Sequence, residues 1–131
     1  MAFQRAFTGA PWERHVGYCR ALRTGDRVFV TGTTAVNADG TIHGPGDGYE
    51  QAKRCLEIIE STLGEVGARI EHVTRTRMFV TDISRWAEYG RAHAEAFGAH
   101  PPTTTMVEVR SLIDPEMLIE IEADAVVEPT G

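Results

Sequence analysis

The chain has 131 residues and a mass of 14.4 kDa, with 42% hydrophobic and 24% charged residues, the profile of one ordinary globular domain spanning 1–131. A domain of this length buries roughly two-thirds of its unfolded surface, so its core needs no disulfide or metal staple. Thirteen basic residues against 19 acidic ones leave a net charge of −6 with no Lys/Arg cluster, which argues against a phosphate-tracking surface and so against nucleic-acid partners.

In chain order, the first twenty residues hold no apolar run of signal-peptide length, and nowhere do 18 apolar residues occur together; no membrane partner and a cytoplasmic location are expected. Trp12 and Glu13 fall in a loop, where an aromatic and a carboxylate could close over a ligand or the aromatic could simply pack. Residues 17–35 read as two β segments around the turn Thr24-Gly25-Asp26, because a Gly/Asp turn interrupts runs rich in Val, Phe, Thr and Tyr. Asn37-Ala38-Asp39-Gly40 marks a second turn, and 43–47 a loop. From Asp47 the period changes. Ala52, Leu56, Ile59, Leu63 and Val66 recur at helical spacing, Asp47 and Glu50 form a capping-box pattern, and Gly67 sits where a left-handed cap would end the helix. A strand follows over 72–82. A second helix is expected from Ser84 as N-cap, with Trp86, Tyr89 or Gly90, His93 and Phe97 on one stripe.

Residues 104–110 and 117–127 alternate with period two around Asp114-Pro115 and read as adjacent strands. Met117, Ile119, Ile121, Ala123, Ala125 and Val127 form an unbroken apolar row suited to a helix-covered face, with Val107 and Val109, and with Met78 and Val80, on the same side. The opposite parity carries Thr104, Met106, Glu108, Leu118, Glu120, Glu122 and Asp124, together with Arg75, Arg77 and Phe79. Two helices cover one side of a sheet, so this mixed face implies either a wet surface or association between subunits.

Gly17-Tyr18, VFVTG at 28–32, TRTRMFVTDI at 74–83 and the block MVEVRSLIDPEMLIEIEADAV at 106–126 together resemble the RidA/YjgF family. The resemblance covers residues 7–127 in order. It implies an α+β fold of the chorismate-mutase-like type, β-β-β-α-β-α-β-β, a mixed sheet with two helices on one face. It also implies a homotrimer with small-molecule clefts between subunits. The family's founding members hydrolyse enamine and imine intermediates such as 2-aminoacrylate to ketoacids and ammonia. That chemistry needs a carboxylate anchor, a group that orients water and moves protons, and exclusion of bulk solvent.

Carried onto this chain, the resemblance places the catalytic glutamate at Glu120, the ring-bearing position at Tyr18 and the close-approach glycine at Gly32. The deaminases' anchoring arginine falls on Thr104, and their cysteine on Met106. An arginine–carboxylate contact exceeds a threonine hydroxyl's single neutral donor by roughly 1.5 to 3 kcal/mol. The expected substrate is therefore an imine, enamine or related carbonyl-derived compound other than 2-aminoacrylate, with a non-catalytic trimeric metabolite-binding or protein-interaction scaffold as the alternative. The family's older labels, endoribonuclease and translation inhibitor, sit badly with the acidic balance. Arg20, about 7 Å along the same strand face from Tyr18, is a candidate substitute for the lost arginine. Against the catalytic reading, Glu120 stands in a row with Glu122 and Asp124, which Arg75 and Arg77 could pair.

Cys19 and Cys55 are far apart and form no CxxC pair, so they read as buried free thiols. The five histidines show neither HxH nor HxxxH spacing, and no GxGxxG or GxSxG occurs, so no metal and no cofactor is expected.

Overall fold

The structure, a computed structural model, describes residues 2–128. Six strands form one sheet: β1 (Phe3–Ala6), β2 (Ala21–Thr24), β3 (Arg27–Thr33), β4 (Val73–Val80), β5 (Thr103–Glu108) and β6 (Ile119–Val126), in the order β1-β2-β3-β6-β4-β5. Two long helices, α2 (Gly48–Glu65) and α3 (Trp86–Phe97), cover one face. A short helix α1 (Pro11–Val16) replaces the loop expected around Trp12.

The β2–β3 hairpin closes as expected, with Thr24 opposite Arg27 and Gly25 taking the left-handed φ of 62° that its two-residue turn demands. The α2 boundaries also follow the sequence. The Asp47 carboxylate accepts from Glu50 N at 3.0 Å. At the other end, Ala68 N donates to Leu63 O and Gly67 N to Gly64 O, with Gly67 at φ 77°, a Schellman closure. Helix α3 departs from expectation at its start. Asp82, not Ser84, supplies the cap by accepting from Ser84 N across a 3-10 turn at Ile83–Arg85. Trp86 is exposed, while Tyr89, Ala92 and Phe97 are buried, because the extra turn rotates the helix's first residue off the core side.

The core lies between α2/α3 and the sheet. Val28, Val30, Val80, Ile119, Ile121, Ala123 and Ala125 meet Ala52, Cys55, Leu56, Ile59 and Leu63 of α2. Buried Gln51 ties the layers. Its amide donates to Gly44 O and Glu116 O, and its oxygen accepts from Leu118 N. Such full satisfaction is what makes an amide tolerable at that depth.

Strand β6 is inserted between β3 and β4, antiparallel to both, while β5 runs parallel to β4 at the sheet edge. The segments 104–110 and 117–127 are therefore not neighbours. The strand with a continuous apolar row takes the centre, and the Thr-rich strand takes the wet edge. Pairing also inverts the expected parity of β5. Thr104 stands opposite Thr76, and Met106 opposite Met78. Thr76 and Met78 are buried on the helix side, so Thr104 and Met106 share that side, and Thr103, Thr105 and Val107 share the open one.

On the open face, Arg5, Leu22, Phe29, Asp124, Arg75 and Thr103 follow one another across the sheet. Phe29 remains 46% exposed at the centre of this row, and Phe3, Val107 and Val126 are exposed on the same face.

Candidate functional site

Between Val30 and Thr33 the β3–β6 register shifts, a bulge that lifts Gly32 away from the ladder. Glu120, whose pairing partner on the other side is Phe79, lays its carboxyl against the gap. A Cβ on Gly32 would collide with Glu120 Oε2 and stand 3.0 Å from its Cδ. The glycine is needed here for close approach, and the bulge creates the notch.

Arg20 holds the notch from the other side. Its Nη2 donates to Gly32 O at 2.8 Å, and its guanidinium lies 5.6 Å from the Tyr18 ring centroid. The structure thus brings Tyr18, Gly32 and Glu120 together, with Arg20 beside them. Burial pushes the Glu120 carboxyl above the usual carboxylate range; the Arg20 charge opposes this and Glu122 adds to it. The arginines expected to pair Glu120 do not. Arg77 reaches Glu122 at 3.2 Å and Asp124 at 3.6 Å, leaving Glu120 opposite an aromatic ring. A half-buried carboxyl with a raised pKa, and with no salt-bridge partner among the described residues, is suited to taking and returning a proton.

Thr104 and Met106 are not in that cluster. Strand β4 separates β5 from β6, and the two residues project from the other side of the sheet, so one chain cannot line one cleft with them and Glu120. Met106 packs half-buried against the core. Thr104 is exposed at the edge, with its hydroxyl accepting from Thr76 Oγ1 at 2.7 Å. Thr76, buried and polar in the middle of an apolar parity, had a visible signal in the sequence; its partner His93 looked like one more residue of a core stripe.

Beside the notch, a groove of about 740 Å³ runs along the open face past Arg5, Tyr18, Cys19, Phe29, Glu122 and Asp124. Glu13 also borders it but is spent locally: its carboxylate accepts from Thr8 N, Gly9 N and the Thr8 hydroxyl. That closes the reading of Glu13 as a ligand group, and Trp12 stays exposed on α1. Cys55 is fully buried, and burial pushes its thiol far up, so it is inert; Cys19 is only half-buried, against expectation. Among the described residues no three of His, Cys, Asp or Glu cluster as metal ligands, and no helix is long and apolar enough to cross a membrane.

Replacing Gly32 by alanine tests the notch. Its backbone φ is not in the left-handed region, so the variant should fold with a melting temperature near the wild type's. The Glu120 carboxyl should be expelled and its pKa should fall toward the ordinary range, read by carbon NMR titration. An unchanged Glu120 titration would show that the notch does not govern it.

The family model described as endoribonuclease L-PSP matches residues 9–127. An uncharacterized protein of Streptomyces coelicolor is 40% identical over 124 residues, 95% of this chain and 92% of that protein. A RutC family protein of Pyrococcus abyssi is 32% identical over 82% of this chain and 84% of its own length. A solved structure from Mycobacterium tuberculosis, described as a member of the YjgF/YER057c/UK114 family, superposes with a TM-score of 0.88 at 46% identity, covering 96% of this chain and 100% of the other.

Proposed function

The chain belongs to the RidA/YjgF family, also described as endoribonuclease L-PSP, and from that premise we propose that it hydrolyses small imines, enamines or related carbonyl-derived compounds in clefts between the subunits of a homotrimer. The observation that carries this reading is the Glu120 carboxyl, seated in the Gly32 notch with a raised pKa and no ion-pair partner among the described residues.

Thr104 and Glu120 lie on opposite sides of one sheet, so a cleft containing both requires two copies: the β5 edge of one against the Tyr18–Gly32–Glu120 cluster of the next. The exposed apolar side chains of the open face, Phe29 with Phe3, Val107 and Val126, give those copies a reason to associate. In the cleft, a water oxygen adds to the imine carbon while one of its protons passes to Glu120, which delivers it to nitrogen and so leaves a carbinolamine. Glu120 then takes the remaining hydroxyl proton and hands it to the amine nitrogen as the C=O bond forms and the C–N bond breaks, and a carbonyl compound and ammonia leave. Tyr18 forms a wall, and Gly32 keeps the carboxyl in place. Met106 backs Thr104, whose hydroxyl replaces a charged anchor. Water is the only co-reactant.

The test is turnover of a panel of neutral and carboxylate-bearing imines generated in situ, beside an arginine-bearing deaminase. The neutral imines should be hydrolysed, and 2-aminoacrylate should be turned over about 10- to 150-fold less efficiently than by the comparison enzyme, the range a lost bidentate contact implies. Equal activity on 2-aminoacrylate would refute the substrate assignment. Tight binding without hydrolysis of any imine would assign the cleft to a binding scaffold instead.

A further inference from the structure

Thr104 is the end of a line of polar groups. On the side of the sheet that α3 covers, Thr76 Oγ1 lies 2.8 Å from His93 Nε2 and 2.7 Å from Thr104 Oγ1. An imidazole, a buried hydroxyl and an exposed hydroxyl therefore run outward to the β5 edge. A hydroxyl has one proton to give. When Thr76 gives its proton to Thr104 across this contact, its oxygen is left to accept and the His93 nitrogen facing it is the one that carries hydrogen. Thr104, already accepting from Thr76, is left with its own proton directed off the sheet.

The His93 ring is held in this role. It packs tilted against Phe97, 4.6 Å between centroids. Burial alone moves its pKa below the usual imidazole range, so the ring is neutral at pH 7 and offers a single N–H. Three donors then point the same way, and each polarises the next.

We propose that His93 is a positioning residue for ligand recognition: through Thr76 it fixes the Thr104 hydroxyl as an outward hydrogen-bond donor, so this end of the cleft takes a neutral acceptor, a carbonyl oxygen or an imine nitrogen. The inference rests on the reading of Thr104 as part of the ligand cleft. It goes beyond that reading by assigning the donor direction, the group that sets it and the ligand chemistry it selects.

The test is nitrogen NMR of the histidines in the intact protein, first alone and then titrated with 2-oxopropanamide, a neutral α-carbonyl probe. The free protein should show His93 as the Nε2–H tautomer. The probe should shift both His93 and the Tyr18 ring resonances. Thr76→Val should abolish the His93 response and weaken the probe about 5-fold while Tyr18 still responds, and Thr76→Ser should restore both. Should the valine variant fail to fold, Thr104→Val at the exposed edge removes the same terminus and should silence His93 equally. An Nδ1–H tautomer, or unchanged probe binding in these valine variants, overturns the proposal and leaves the cleft reading intact. A wild-type protein in which neither Tyr18 nor His93 responds overturns both.

Discussion

Glu120→Gln should lower imine hydrolysis by about 100-fold or more while leaving fold and assembly intact, because the amide keeps the shape of the carboxyl and loses only its ability to take and return a proton. The thermal response separates this from a structural role. Glu120 has no salt-bridged arginine to lose, and burial raises its pKa against the pull of the nearby Arg20 charge. A group whose folded pKa is raised favours folding in its protonated form, and that contribution is lost as pH rises through the folded pKa. Once ionised, the carboxyl is thus a cost, and the neutral amide removes it. The variant should melt no lower than wild type at pH 7, with a flatter stability profile above the usual carboxylate range. Glu122→Gln is the counter-case. It breaks the 3.2 Å contact with Arg77, a partly exposed pair worth about 0–1 kcal/mol, and should leave turnover largely unaffected. Unchanged hydrolysis in Glu120→Gln together with reduced stability would reject the catalytic role.

Phe29→Glu should convert the assembly to monomers. Phe29 lies between Leu22 and Asp124 in the open-face row, and burying such a side chain contributes roughly 1.5–3 kcal/mol per copy. A carboxylate there would be desolvated beside Asp124, adding repulsion to the lost burial. Within one chain the position is open to solvent, so the monomer should stay folded. Light scattering should give three times 14.4 kDa for wild type and a single 14.4 kDa mass for the variant. Hydrolysis should vanish with it, since the proposed cleft needs two copies. A wild-type mass of 14.4 kDa, or a variant that remains trimeric, would remove the basis for intersubunit clefts.

How much of this was legible beforehand varies with burial. The α2 boundaries could be read directly because both ends depend on local chemistry: a carboxylate three residues before the amide it caps, and a glycine where the backbone turns left-handed. The inward row of β6 was equally plain, since Ile119, Ile121, Ala123 and Ala125 are all buried and only one parity fits under a helix. Tyr18, Gly32 and Glu120 were named from the resemblance, and the fold gathers them. Pattern failed where an element meets water on both sides or where a long-range pairing chooses the partner. The residues of β5 alternate, but at an edge neither parity is fully withdrawn from solvent, so Val107 and Val109 suggested the wrong inward side.

Local sequence, then, determined the β2–β3 hairpin, the two long helices, the α2 caps and which face of β6 is apolar, because these depend on neighbours within a few residues. Tertiary structure alone decided that β6 enters between β3 and β4, that the Gly32 bulge receives the Glu120 carboxyl, and that Thr104 hangs on Thr76 and His93. Each of those joins groups 17 or more residues apart. The free energy that selects them comes from burying the whole layer at once, a sum that no short window of the chain contains.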